Sequence, residues 1–240
     1  MKRFLLSMLL VPLMALGACA TTTTTTETAT APQSARAFEG LWRYTGLVSS
    51  SGNSMPLTGI FLFDDGEFLQ QAVFDGADIA RQGAMAHSGP YTPTAEGVNL
   101  VAEQTISISP DKTPALSFTP NTRHVLKVDR AGDRLTLTFG SGTVQTFQRI
   151  GAGEGDVYRF SNGRLALADG HFILVTGDEA STVTGFGRYT RRGDRLDLDV
   201  MRWAEASGGQ AKVQRDLRTT ARFDGRMLTL ADGRQFAVLR

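Results

Sequence analysis

The chain of 240 residues has one cysteine, Cys19, and three histidines, His87, His124 and His171. A single thiol cannot form an intrachain disulfide. Cys19 lies ahead of anything that could build a core, so the folded part lacks a thiolate nucleophile and a cysteine ligand for zinc. The histidines are far apart and have no carboxylate beside them in the sequence. A Gly-x-Ser-x-Gly turn, a His-Glu-x-x-His helix and a phosphate-cradling glycine loop are all missing. Asp64-Asp65 falls in a turn, and Asp197-x-Asp199 on the solvent face of a strand, so neither reads as a metal site. No catalytic residue, metal ligand or cofactor is expected, and the chain is read as a non-enzyme. Charge of one sign is also lacking, with 25 Lys and Arg against 24 Asp and Glu. Such a balance gives no electrostatic footprint for nucleic acid.

The one long apolar run is at the N-terminus. Lys2 and Arg3 precede Phe4 to Leu16, and about 13 apolar residues are too few to cross a bilayer core of ~30 Å. The run reads as a signal peptide over 1–18. Leu16-Gly17-Ala18-Cys19 resembles the lipobox of bacterial type II signal peptides. That resemblance implies cleavage before Cys19, a diacylglyceryl group on its sulfur and an acyl chain on its new N-terminus. Ala20, where an Asp would favour retention in the inner membrane, implies the inner leaflet of the outer membrane, facing the periplasm. Residues 19–37 then form a tether. Its six consecutive threonines, Thr21 to Thr26, offer nothing that could pack. Roughly 16 flexible residues reach about 20–25 Å.

From Phe38 the pattern has period two. Leu135, Leu137 and Phe139 share one face of a strand, and Leu196, Leu198 and Val200 share one face of another, with Asp197 and Asp199 opposite. Asp65-Gly66, Asn162-Gly163, Asp169-Gly170, Asp224-Gly225 and Asp232-Gly233 punctuate the runs as hairpin turns. One short helical turn is expected within Gly76 to Ala86. The fold class is all-β, an antiparallel meander.

The two halves resemble each other in order. Gly59 to Phe68 aligns without gaps on Gly163 to Phe172. Gly89-Pro-Tyr91-Thr92 matches Gly187-Arg-Tyr189-Thr190, Leu135-Thr-Leu137 matches Leu228-Thr-Leu230, and Trp42 falls opposite Tyr158. Each half closes at an arginine, Arg149 and Arg240. Two tandem barrels are therefore expected, over 38–150 and 156–240, with the glycine-rich run 151–155 as a hinge. The alternative is one larger barrel or sandwich built from both halves. The second unit, about 85 residues, is expected to hold only short strands and little cavity.

The first unit resembles small lipocalin-like (calycin) domains through Gly40-Leu41-Trp42, Gly89-Pro-Tyr91 and Phe147-Gln-Arg149. The resemblance implies that Trp42 plugs one barrel end with Arg149 stacked on its ring, a contact worth about 0.5–2 kcal/mol. Lipoproteins of envelope stress and copper homeostasis also place such a barrel behind a lipidated Cys. They carry a Cys-x-x-Cys where this chain has Ser49 to Ser54, so no soft-metal site of that type is implied.

The run Ile60 to Phe63 is apolar on both faces. It fits a strand covered by the other unit, or a wall between an apolar cavity and a partner. The expected function is a lipid-anchored binding module for a small apolar molecule or envelope lipid, lined in part by Phe61, Phe63 and Tyr91. The competing expectation is an interaction protein whose outer surface binds another envelope component. The anchor itself is testable: Cys19→Ala should leave the protein soluble or unprocessed. A substituted protein that is still cleaved and still fractionates with membranes would contradict the lipobox reading.

Overall fold

A computed structural model describes residues 38–239. The leader, Cys19, the threonine tether and Arg240 lie outside the described residues. Eighteen strands follow in order: β1 (Gly40–Val48), β2 (Leu57–Asp64), β3 (Glu67–Phe74), β4 (Ala84–Pro93), β5 (Gly97–Ala102), β6 (Gln104–Ile108), β7 (Leu116–Thr119), β8 (Thr122–Ala131), β9 (Arg134–Phe139), β10 (Val144–Gly151), β11 (Gly155–Phe160), β12 (Gly163–Ala168), β13 (His171–Gly177), β14 (Ser181–Arg192), β15 (Arg195–Ser207), β16 (Gln210–Phe223), β17 (Met227–Leu230) and β18 (Gln235–Ala237). One 3-10 turn, Ile79–Arg81, is the short helix expected after Gly76.

Every sheet pairing is antiparallel, and the strands form two barrels in tandem. In the first, β1-β2-β3-β4-β5-β8-β9-β10 closes on itself through β1 and β10. β5 and β6 are one run broken at Glu103. The β5 half stays in the barrel against β8, while the β6 half pairs with the start of β4 and with β7 outside it. The second barrel takes β11 to β18 in chain order. It closes through a bridge between Phe160 and Val238 and a bond from the Leu239 N–H to the Arg159 carbonyl, 2.8 Å.

The repeat read from the sequence has a matching register. Phe61 faces Trp42 across β1–β2, and Leu165 faces Tyr158 across β11–β12. Both following turns use positive φ, at Asp65-Gly66 (40°, 81°) and at Asp169-Gly170 (49°, 71°), which the twist of a tight hairpin favours. The Tyr91 N–H reaches back to the Gly66 carbonyl and the Tyr189 N–H to that of Gly170, at 2.7 and 3.0 Å. Even the irregularities recur. At Gly89 and Gly187 a Cβ would stand 1.9 Å from the Val101 oxygen and 2.1 Å from that of Asp199, so both bends need a residue without a side chain.

Two expectations change. The strands of the second unit are not short: β14, β15 and β16 run 12, 13 and 14 residues. They are long because Phe186, Ala204, Ala206 and Val213, in their distal halves, pack in one buried cluster with Ile60, Leu62, Leu69 and Val73 of the first barrel. Nor is 151–155 a free hinge. Gly151 ends β10 and Gly155 starts β11, and between them the Gly153 N–H donates to Asp169 Oδ2 at 2.7 Å. The doubly apolar strand is thereby explained, since β2 turns Phe61 and Phe63 into its own barrel and Ile60 and Leu62 against the other.

A polar lock sits beside this apolar seam. Arg164, on β12, is 1 % exposed. Its Nε donates to Glu67 Oε2 at 2.6 Å and its Nη2 to Glu103 Oε2 at 2.9 Å. Nη1 donates to Gln104 Oε1 at 3.3 Å, which also accepts from the Ser88 hydroxyl. At the far side Arg202 bonds Asp75 and Thr58, at 3.2 and 3.0 Å. Removing one partner of a buried ion network leaves the others without compensation. Arg164→Leu should therefore lower the free energy of unfolding by about 3 kcal/mol. Arg159 touches the same two carboxylates but is half exposed, so Arg159→Gln should cost less than about 1 kcal/mol. Equal losses in urea titrations would contradict the buried-lock account.

Candidate functional site

The first barrel has two unlike ends. At one, the Trp42 indole N–H donates to the Phe38 carbonyl at 2.9 Å. Arg149, its cross-strand partner, sets its guanidinium 5.5 Å from the Trp42 ring, and Arg130 lies at 5.8 Å. Arg149 also ties down the entry of the chain through the carbonyls of Glu39 and Gly151, both at 3.0 Å. Phe61 and Phe63 stack at 4.3 Å, and Phe63 meets Phe38 at 5.0 Å and Tyr91 at 5.3 Å edge-on. The Tyr91 hydroxyl donates to Glu39 at 2.9 Å, and burial, aided by that carboxylate, pushes its pKa up. The residues expected to line an opening thus pack in the closed end with Trp42. Phe61 and Phe63 have no exposed surface at all.

Towards the other end the interior turns polar. Alternation along β3 points Phe68, Gln70 and Ala72 inward, so one amide lies between apolar neighbours. Gln70 donates to the Tyr44 hydroxyl, which donates to Gln145 Oε1 at 2.9 Å. Gln70 Oε1 sits 3.1 Å from His87 Nδ1, which places the proton on that nitrogen. The His87 ring is 6.0 Å from that of His124, which packs on Phe139 at 5.5 Å. Half-buried Leu57, Met85 and Phe139 complete the apolar lining.

Three buried polar atoms here find no protein partner: His124 Nε2, Thr122 Oγ1 and Thr105 Oγ1. Their positions are neighbouring. Thr105 is the cross-strand partner of His87, and Thr122 and His124 alternate onto one face of β8. Side-chain polar atoms buried this way nearly always have a partner. Among the described residues no three His, Cys, Asp or Glu come together as metal ligands.

The second barrel differs. Tyr158 takes the place of Trp42 and packs on Phe223 at 4.5 Å, with Arg191 5.6 Å above the Phe223 ring. Its interior holds a cavity of about 10 Å³ among Leu165, Phe172, Leu198 and Trp203, space for one water at most. His171 lies outside this core and bonds the Asp169 carbonyl at 2.9 Å. No protein-family model, curated protein or solved structure matches the chain.

From the sequence His87 and His124 read only as widely spaced histidines without a carboxylate partner, and Tyr44, Gln70, Gln145, Thr105 and Thr122 carry no motif. The available signal was a polar side chain at an inward position of an alternating strand, such as Gln70 between Phe68 and Ala72. The layer has a pH signature. Burial, then the neighbouring His124, lowers the His87 pKa to about 4, and burial lowers that of His124. In the unfolded chain both rings protonate near 6.5. Between these values the unfolded state binds more protons, so the stability that goes with a neutral His87 is complete above about pH 6.5 and is lost as pH falls towards 4. The urea midpoint should fall across that window, and His87→Gln should flatten the fall. An unchanged profile in the variant would contradict the assignment.

Proposed function

We propose that this chain is a non-catalytic binding module of the bacterial envelope, held at a membrane by lipid on Cys19. Its first barrel takes a small, largely apolar molecule that carries one polar group. The ligand enters at the end remote from Trp42. Its polar group meets His124, Thr122 and Thr105, and its apolar part lies against Met85 and Phe139. The observation that carries this reading is the convergence of three unpartnered buried polar atoms between a ring-filled barrel floor and a half-exposed apolar rim. Ligand sites are commonly apolar with a few convergent polar groups. A core built only for stability gains nothing from such atoms, because each costs about 1–3 kcal/mol when left unbonded. Lipid attachment at Cys19 and a periplasmic location rest on the lipobox and on Ala20.

A stability–binding trade-off tests the site. Thr122→Val keeps the shape and removes a hydroxyl that has no protein partner. It should stabilise the free protein by about 1 kcal/mol and weaken the ligand recovered from the native host. Native mass spectrometry of the chain from Thr21 onward identifies that ligand as a co-purifying small mass. A Thr122→Val protein that is less stable than its parent, with no small mass bound to either, would contradict the proposal.

A further inference from the structure

The outer face of the second barrel carries a regular array of charge. Cross-strand registers on β14, β15 and β16 align Arg188, Asp199 and Arg218 in one row, Thr190, Asp197 and Thr220 in the next, and Arg192, Arg195 and Arg222 in the third. Alternation points all nine outward, away from buried Leu196, Leu198 and Ala221. Four arginines occupy the corners of a grid that measures roughly 10 by 13 Å from ordinary strand spacing and rise. A cleft of about 740 Å³ runs over its first two rows and reaches Arg195 of the third, bounded by the Asp169-Gly170 turn.

The third row is costly for folding. Like charges directly opposite across strands are destabilising, and here three guanidiniums stand side by side. Asp197 offsets part of this, at 2.7 Å from Arg195 and 4.0 Å from Arg192, and Asp199 lies 3.8 Å from Arg218. Arg188 and Arg222 form no ion pair with any other described residue. Asp169, at the cleft edge, turns its carboxylate to the Gly153 N–H. Five guanidiniums thus face two carboxylates within the grid. Guanidinium forks suit phosphate oxygens, and they keep their charge at any physiological pH.

We propose that this face docks on an anionic phospholipid surface. The point where the chain enters the fold favours a membrane over a free anion. A Cβ on Gly153 would lie 3.1 Å from Gly40, the first residue of β1, and Gly153 is bonded to Asp169 at the cleft edge. The array therefore begins beside the entry point. The 18 residues between Cys19 and Phe38 can span at most about 60 Å, which brings the headgroups around the lipid anchor within range. That last step rests on the anchor at Cys19; the charge array does not. The inference adds a second contact, orienting the barrels on the membrane, to the ligand site of the first barrel.

Every barrel strand finds its partners within residues 38–239, so the chain from Thr21 onward serves as an unanchored test protein. It is floated with phosphatidylcholine vesicles, with and without phosphatidylglycerol. Three net charges near such a surface should give roughly a hundredfold preference for the anionic vesicles, largely lost at about 0.5 M salt. Arg188→Gln/Arg222→Gln removes the two unpaired corners and leaves the grid's ion pairs intact. It should abolish most of the preference, whereas Arg123→Gln/Lys127→Gln, exposed on the first barrel, should keep it. Absence of a preference, or equal loss in both double variants, would overturn the proposal. So would release of the protein by millimolar inorganic phosphate, which would make the array a site for a free anion. Because the test protein carries no lipid, a failure here counts against the face and leaves the anchor reading untouched.

Discussion

Arg164 is a guanidinium with 1 % of its surface exposed, and its charge is met only by groups of the other barrel. An unpaired charge there would be prohibitive, so Glu67, Glu103 and Gln104 have to sit where they do. That requirement fixes two features of the first barrel, the start of β3 and the bend between β5 and β6. The bend in turn needs Gly89 opposite it. A buried ion network of this kind is weak evidence for stability but constrains relative position closely. The apolar seam of Ile60, Leu62, Ile173 and Val175 supplies attraction without direction, and Arg164 supplies the direction.

A fixed pair of barrels divides the work between them. The second commits the distal part of the outer face of its long strands to the seam and leaves the arginine grid exposed on the rest of that face. Its interior is filled. The first is stiffened on the side that faces its neighbour and plugged by Trp42 and its surrounding rings. The side-chain polar network of the interior lies in the half remote from the plug, where Tyr44, Gln70, Gln145 and His87 bond one another. Gln71, on the opposite face of β3, has both amide atoms buried without a protein partner. We have no physical account of it.

Much of this was legible in the sequence, for identifiable reasons. Period-two patterning and Asp-Gly turns gave both meanders, and the gapless match of Gly59–Phe68 to Gly163–Phe172 gave their register. Trp42 and Arg149 could be paired through a family resemblance. The rest depends on which strands become neighbours. Arg192, Arg195 and Arg222 belong to three strands, and their charges are diluted in the linear order by intervening aspartates. Arg164 looks like any strand arginine until Glu67 and Glu103 are brought to it from 97 and 61 residues away. The polar-end histidines, far apart in sequence, meet only because β4 and β8 both border β5. The length of β14–β16 was missed because size bounds a barrel alone, whereas these strands also cover a neighbour.

The central claim is that two barrels behave as one cooperative body. Each carries one tryptophan, Trp42 in the first and Trp203 in the second. Urea unfolding of Trp203→Phe and of Trp42→Phe, each followed by fluorescence and by circular dichroism, reads one barrel against the whole chain. The account predicts coincident fluorescence and dichroism midpoints within each variant, as a two-state body requires. A fluorescence transition displaced from the dichroism transition in either variant would show that one barrel unfolds while the other stands, and would contradict it.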